Sequence, residues 1–502
     1  MLMQKNEHKS VILLLLVAAA MLLINLGSRE LWSLETRWAN VVLQMLQSHD
    51  YWHPLLKGEE YYDKPLLSYW IIILMSKMLG GFSAWALRLP SVLAALASVY
   101  FIYDIGKRIF DHQTGLIAGW LLVTTYYFIF WGRVASADML NMAGMLAAIW
   151  WFFRAPEKTT FGNYVIFFQI MAFTSLCKGL LGVVLPGLVI LPYIIMHQLL
   201  RKHLNINFFI ALIPAIAVYC LPFYLSEVLS SATYHSDGLS LVIKENITRF
   251  FAPFDHKGAI YTYLIYLPVY TLPWTPLFLI AIVQSFQHWK KIAINRRWLV
   301  STIMLLFFFF TLSGSRRSYY VLPIIPFAQL LAAILVREWV LIGKNKLVLL
   351  LQSSIVALAI FYLVFFGIAL PWYYTGGGAV EFGQQVQQEA TKQAPWYNWH
   401  VVMIDVDNKI PFYIQTSSPP IYIDSKKMVK NLSHQNNIFK ALHLEALVPT
   451  RTIFISRAQY TDLLQQYLFD ATLIESKPTY GEKLFSRKPT PAIAFIPQNL
   501  LR

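Results

Sequence analysis

Long apolar runs separated by short charged breaks dominate the chain. Runs near 11–27, 88–106, 113–131, 138–154, 162–177, 179–197, 206–225, 260–284, 297–312, 319–337 and 347–369 each approach the roughly 17–25 residues that a helix needs to cross a bilayer, a few of them short or broken by proline. A further run at 66–80 is short and carries Ser68, Ser76 and Lys77. Charge decides how to count it. Lys107-Arg108, Arg154 to Lys158, Arg201-Lys202, Lys290 to Arg297 and Lys344 to Lys346 all fall on the cytoplasmic side only if 66–80 does not cross. The pattern therefore predicts about eleven spans, a cytoplasmic N-terminus, and a helix at 66–80 lying on or dipping into the outer face. Behind Lys5 and Lys9, the run from Val11 to Leu26 is followed by no small-residue cleavage site and reads as an uncleaved signal anchor.

The same parity puts four polar loops outside: 28–87, the turn from Arg133 to Asp138, 226–259, and Ser313 to Tyr319. In the first loop Trp38, Val41, Val42, Met45 and Leu46 recur at helical spacing, while Arg37, Asn40, Gln44 and Gln47 fall elsewhere on the turn. That predicts an amphipathic helix lying at the interface, with Glu35 near its N-terminus. After Ala369 the pattern changes. Gly376-Gly377-Gly378 and a glutamine-rich stretch mark a linker and helix. Strand-like runs follow at His400 to Val406, Pro411 to Gln415, Pro420 to Asp424, Thr452 to Ser456 and Lys483 to Ser486. Helical stretches at Lys426 to Asn431 and Ala458 to Leu468 alternate with them, which predicts a small external α/β domain over 370–502 beside a membrane domain over 1–369.

Composition supports a membrane protein. Apolar residues make up 57% and charged residues 13%, about half the usual charged share of soluble domains. The net charge of +15 sits in short clusters between apolar runs, so it follows the positive-inside pattern and gives no reason to invoke nucleic acid. Cys177 and Cys220 both lie in apolar runs and read as free thiols.

Glu35 and Asp138 are the two carboxylates that parity places outside at membrane depth. The bland reading makes Asp138 a helix N-cap and Glu35 a favourable N-terminal charge. Carboxylates at the membrane edge are costly, however, which makes both functional candidates. Outer-facing cations also run against the usual bias: Lys64 beside Asp63, Arg249, His256-Lys257 and Arg316-Arg317. Several of them in separate loops point to a bound anion such as a phosphate, with lipid headgroups as the competing partner. Asp405-Val406-Asp407 has the look of a nucleotide-sugar carboxylate pair, but it lies in the external domain, where nucleotide sugars are normally absent. No cluster of histidines and acids has metal-ligand spacing.

One combination of motifs carries a resemblance. It runs through Glu35-Thr36-Arg37-Trp38-Ala39, His49-Asp50-Tyr51-Trp52, Tyr61-Tyr62-Asp63-Lys64-Pro65 and Arg133 to Asp138. It resumes at Asn246 to Phe251, Phe254-Asp255-His256-Lys257, Leu272-Pro273-Trp274-Thr275-Pro276 and Ser315 to Pro326. These residues resemble the polyprenyl-phosphate-sugar glycosyltransferases, the family of bacterial lipid A aminoarabinose transferases and protein O-mannosyltransferases. The resemblance implies a GT-C fold with interfacial helices. It implies a polyprenyl-phosphate-linked sugar as donor, a lipid A, glycan or protein acceptor, and an inner-membrane location with the C-terminal domain in the periplasm. It aligns Lys64 and Arg249 with cations that grip the donor phosphate, and Tyr61 and Tyr320 with tyrosines near it. Asp63, Arg133, His256, Lys257 and Arg317 are further site candidates. Some relatives have been assigned a divalent metal, for which this chain shows no clear ligand set. The family's acidic pair is Asp-Glu; here Leu34-Glu35 stands in its place.

The chemistry expected is inverting displacement. Polyprenyl phosphate leaves with its negative charge met by Lys64 and Arg249, and Asp138 or Glu35 takes the acceptor proton. A transporter of lipid-linked sugars is the alternative of another class, but it would more naturally show paired half-repeats, and none is evident.

Overall fold

A helix satisfies its own backbone polar groups, so apolar runs in lipid fold as helices. The computed structural model, which describes residues 2–229, 240, 258–423, 451–468, 470–487 and 489–498, has a helix at every run expected to span. Five of these helices are long and apolar enough to cross a bilayer: Ala84–Ile109, Ile206–Val228, Ile294–Leu312, Ser318–Leu341 and Asn345–Tyr373. Counting each of two bent pairs as one span makes seven. His112–Thr124 meets Tyr126–Gly132 at 70°, and Thr262–Tyr270 meets Thr275–Gln287 at 119°. Shorter helices, Ala137–Arg154, Phe161–Lys178 and Leu181–Met196, fill three of the other expected positions. Leu67–Met78, the run that parity removed from the count, is a helix of 12 residues.

The chain divides into two compact units. The first comprises Met1–Ile24, Tyr62–Met78 and Arg88–Val364. Within it the Phe161–Lys178 helix packs against Ala137–Arg154, Leu181–Met196, Ile206–Val228 and Leu67–Met78. Small residues allow the close approach: a side chain at Gly144 would run into Thr174, and one at Gly182 into Ser175. Ser68 donates from the Leu67–Met78 helix to the Cys177 carbonyl at 2.7 Å. Side-chain oxygens of Asp111, Ser136 and Asn205 cap three of this unit's helices.

The second unit comprises Asn25–Tyr61, Leu79–Leu87 and Phe365–Arg502. Its described residues form a two-stranded hairpin, β1 (Leu55–Leu56) and β2 (Glu59–Glu60), and a five-stranded sheet. The sheet strands are β3 (His400–Ile404), β4 (Ile421–Ile423), β5 (Thr452–Arg457), β6 (Ala471–Glu475) and β7 (Ala492–Pro497), in the order β4-β3-β5-β7-β6. β3 runs parallel to β4 and β5, while β7 runs antiparallel to β5 and β6. Alternate residues bury on opposite faces. Val401, Met403, Ile453 and Ile455 pack with Phe382 and Val386 of the Gly378–Thr391 helix. Val402, Ile404, Phe454 and Phe495 pack with Tyr460 and Leu464 on the other face.

Several sequence expectations change here. The stretches 411–415 and 483–486 are helical, not strands. Pro411 sits in the first turn of Ile410–Ile414, a position that tolerates its missing N–H. Thr479 and Glu482 form a capping box that starts Tyr480–Leu484. Strands β6 and β7 had not been expected. The helix expected at Lys426 to Asn431 lies outside the described residues. The amphipathic helix forms at Ser33–Ser48, but its polar side is covered within this unit. Asn40 donates to the Asn408 carbonyl at 2.9 Å and Gln47 to that of Thr416 at 2.6 Å.

Glu30, 4% exposed, ties the loop to the sheet region by accepting from the Ala379 N–H and from Lys409 Nζ, each at 2.5 Å. Burial pulls the Lys409 ammonium pKa down, but the Glu30 carboxylate outweighs it and the net direction is up from 10.5. A raised lysine pKa means that the pair's contribution is complete at neutral pH and is lost only as pH rises through that raised value. Glu30→Ala is expected to cost about 3 kcal/mol, because it strands the Lys409 charge. Thermal unfolding of the detergent-solubilised protein checks this. The Glu30→Ala/Lys409→Met double variant should recover most of the loss.

Candidate functional site

Asp138 stands in the first turn of Ala137–Arg154, where its own carboxylate is free of capping duty. Ser136 does the capping, accepting from the Asp138 N–H at 3.2 Å. The Asp138 carboxylate instead pairs with Lys178 Nζ, at the last turn of Phe161–Lys178. The two side chains are 11% and 10% exposed, so both charges sit in a poorly solvated setting where an unpaired ion would be costly. Lys178 Nζ also lies 5.5 Å from the centre of the Tyr320 ring, within cation–π range. Next to Tyr320, Tyr319 packs its ring 4.9 Å from that of Trp131 and accepts from Arg317 Nη1 at 2.9 Å.

Polar atoms continue along the same two helices. Asn141, one turn after Asp138, is 1% exposed and neither of its amide atoms has a partner among the described residues. Ser175 Oγ, three residues before Lys178, has none either. Buried side-chain polar atoms are rarely left this way. Together with the ion pair they make a polar seam in an otherwise apolar helical unit.

The other sequence candidates separate by role. Arg133 is committed to structure: its guanidinium donates to the carbonyls of Met21, Leu22 and Ile24 at 3.0, 2.8 and 2.7 Å, closing the end of the Leu2–Leu23 helix. Lys64, half-buried in the first unit, donates to the Asp63 carboxylate at 2.9 Å and its carbonyl at 2.8 Å. Arg316 donates to the carbonyls of Gly258 and Thr311. Arg249, His256 and Lys257 lie outside the described residues.

Glu35 and Tyr61 belong to the second unit. Tyr61 accepts from Arg37 Nη1 at 2.8 Å. Glu35 is fully buried, and its Oε2 accepts from the Trp32 N–H at 2.8 Å and from Arg29 at 2.9 Å. That is the reach-back half of a capping box, strengthened by an ion pair. The two carboxylates that the sequence weighed equally therefore differ: Glu35 holds a helix start, and Asp138 faces a lysine. Among the described residues no group of three or more histidine, cysteine or acidic side chains could hold a metal ion.

Lys178 was missed from sequence. The signal was there: a lysine between two apolar runs, in a turn that charge parity puts on the outer side.

Comparisons with known proteins place the chain beside solved folds and named relatives. Residues 63–225 match the family model for dolichyl-phosphate-mannose-protein mannosyltransferase. An undecaprenyl phosphate-alpha-4-amino-4-deoxy-L-arabinose arabinosyl transferase of Shewanella sediminis is 25% identical over 383 residues, covering 74% of this chain and 67% of the relative. Its counterpart in Pseudomonas paraeruginosa is 28% identical over 346 residues, covering 66% and 61%. The chain thus spans roughly two thirds or less of these relatives' length. Among solved structures, ArnT from Cupriavidus metallidurans bound to undecaprenyl phosphate superposes with a TM-score of 0.72 at 17% identity, over 97% of both chains. The Archaeoglobus fulgidus oligosaccharyltransferase reaches 0.53 at 11% identity, over 90% of this chain and 70% of its own. The fold is the one shared by the solved ArnT and oligosaccharyltransferase structures. The family model and the two relatives carry dolichyl phosphate or undecaprenyl phosphate in their names, and all three are named as sugar transferases.

Two stability measurements follow. Glu35→Ala should cost about 1–2 kcal/mol through the lost cap. Asp138→Asn and Lys178→Met should each lower the unfolding temperature, with the double variant losing less than the sum. A coupling on the order of 1–3 kcal/mol is expected for a contacting pair, and strict additivity would contradict the ion pair.

Proposed function

We propose that this protein transfers a sugar from an undecaprenyl-phosphate donor to an acceptor at the outer face of the inner membrane, with lipid A or a related envelope glycan as acceptor and a 4-amino-4-deoxy-arabinose type of pentose as the sugar. The observation that carries the reading is the Asp138–Lys178 pair, buried in the apolar unit at the turn where the family resemblance is strong. The names of the relatives and the undecaprenyl phosphate bound to the ArnT neighbour support the donor class.

In this mechanism the anomeric C–O bond to the donor phosphate breaks as the acceptor oxygen attacks from the opposite face, which inverts the centre. Charge grows on the departing phosphate, so the useful protein groups are cations placed where it grows. Lys64 is one, released from Asp63 toward the phosphate, and Arg249 is the second. Asp138 takes the proton of an acceptor hydroxyl. Lys178 holds Asp138 in place until then. Glu35 supports the helix that carries Arg37 and does not exchange protons. About eleven spans, a cytoplasmic N-terminus and a periplasmic α/β unit complete the arrangement. The mannosyltransferase family match supports a protein acceptor as a second reading.

With purified enzyme and lipid-linked aminoarabinose donor, Asp138→Asn and Lys64→Ala should each reduce transfer about a hundredfold, the usual effect of losing one such contact. Glu35→Gln should retain transfer. Wild-type-like turnover by Asp138→Asn would remove that residue from the mechanism. Mass spectrometry of glycolipids and glycoproteins from a deletion strain separates the two acceptor readings. A cysteine at position 107 should be labelled only from the cytoplasmic side; labelling from outside would overturn the orientation.

A further inference from the structure

A well-formed cavity lies entirely within the second unit. It encloses about 1150 Å³ and is lined by the first-loop helix, the ends of β3, β4 and β5, and the segment around Glu482 and Arg487. Its position follows from topology. β3 lies between β4 and β5 and is parallel to both, so the chain leaves it first to one side and then to the other. A crevice opens at the carboxyl ends of parallel strands where the direction of winding reverses, and open α/β sheets bind ligands there. Asp405 and Asp407 follow β3, and Arg457 ends β5.

Five acidic and five basic side chains line this crevice, but they are engaged unequally. Four of its carboxylates are already engaged. Glu30 binds Lys409 and the Ala379 N–H, and Asp405 accepts from Tyr460 Oη at 2.6 Å. Asp407 accepts from the Lys409 N–H at 3.0 Å, and Glu482 from that of Thr479 at 2.9 Å. By contrast the guanidinium groups of Arg457 and Arg487 form no ion pair or side-chain hydrogen bond among the described residues, although both line the cavity and are exposed. Trp32 lines it too, 41% exposed, and offers a flat apolar face. It directly precedes Ser33 at the start of the helix that carries Leu34-Glu35.

We infer that this cavity is a binding subsite for an anionic saccharide, the phosphate-bearing headgroup of the acceptor. The two arginines meet the phosphate, with the fork geometry that suits it, and the indole meets the sugar ring. The inference rests on the transferase reading for the word acceptor, while the binding chemistry stands on the cavity alone.

The test uses the full-length protein in detergent and a phosphorylated glucosamine disaccharide as probe, with its dephosphorylated form and inorganic phosphate as controls. Calorimetry should show the phosphorylated disaccharide binding more tightly than either control, with an affinity that falls as salt rises. The Arg457→Gln/Arg487→Gln variant should lose about tenfold or more for that probe, and Arg457→Lys/Arg487→Lys should keep most of the binding. Both positions are exposed, and an unchanged unfolding temperature checks the fold. In the transfer assay the Gln variant should raise KM for a phosphorylated acceptor about tenfold, with kcat and the donor KM unchanged. Equal binding of inorganic phosphate, or undiminished binding by the Gln variant, overturns the saccharide site. Lost binding with an unchanged acceptor KM overturns its assignment to the acceptor. Failure of the wild-type protein to transfer to any acceptor counts against the transferase reading instead, and the calorimetry still decides the site.

Discussion

An isolated carboxylate is barely tolerable among apolar helices, and the arrangement around Asp138 follows from that constraint. Lys178 must come close enough to neutralise it, so the Phe161–Lys178 helix has to approach Ala137–Arg154 at short range. Gly144 allows the approach on one side, and Gly182 allows the following helix to close in on the other. Ser136 relieves the aspartate of the capping task that its position would otherwise assign to it. The ion pair thus selects the small residues around it, and Asn141 and Ser175 extend its polarity along the seam.

The second unit answers the same constraint differently. Glu30 and Glu35 are both buried, yet each is saturated by backbone N–H groups and a cation. Their work is architectural: Glu35 begins a helix, and Glu30 fastens the loop beside Gly378, whose positive φ of 80° brings the backbone close to that carboxylate. Saturated carboxylates have no spare capacity for chemistry. Among the described residues Asp138 is held by a single flexible ammonium, that of Lys178.

Much of the membrane unit was legible because a helix in lipid needs only an apolar run of sufficient length, and each such run became a helix. The external region was harder to read. Pro411 and the Thr479–Glu482 box decide two short helices through one or two local interactions that a strand-like composition conceals. β7, fully buried for most of its length, lacks the alternation that marks a half-exposed strand. Asn40 and Gln47 looked like the wet side of an amphipathic helix because their partners, at Asn408 and Thr416, are more than three hundred residues away. For the site, Asp138, Lys64 and Tyr320 were visible as motif residues. Lys178 was not, since its role depends on which helix it faces. The same distance effect separates the fates of Glu35 and Asp138, which sequence alone left equal.

The covering of the Ser33–Ser48 helix has a bearing on biosynthesis. Asn40 and its carbonyl partner are 368 positions apart, and ribosomes add about 5–20 residues per second. For roughly 20–70 s after the first loop emerges, its amides have no protein partner and must be satisfied by water or headgroups. The amide side of this helix therefore gains its protein partners only after most of the chain has been made. The chain 370–502 expressed alone would lack this helix, so its sheet region would present an uncovered flank in place of a finished surface.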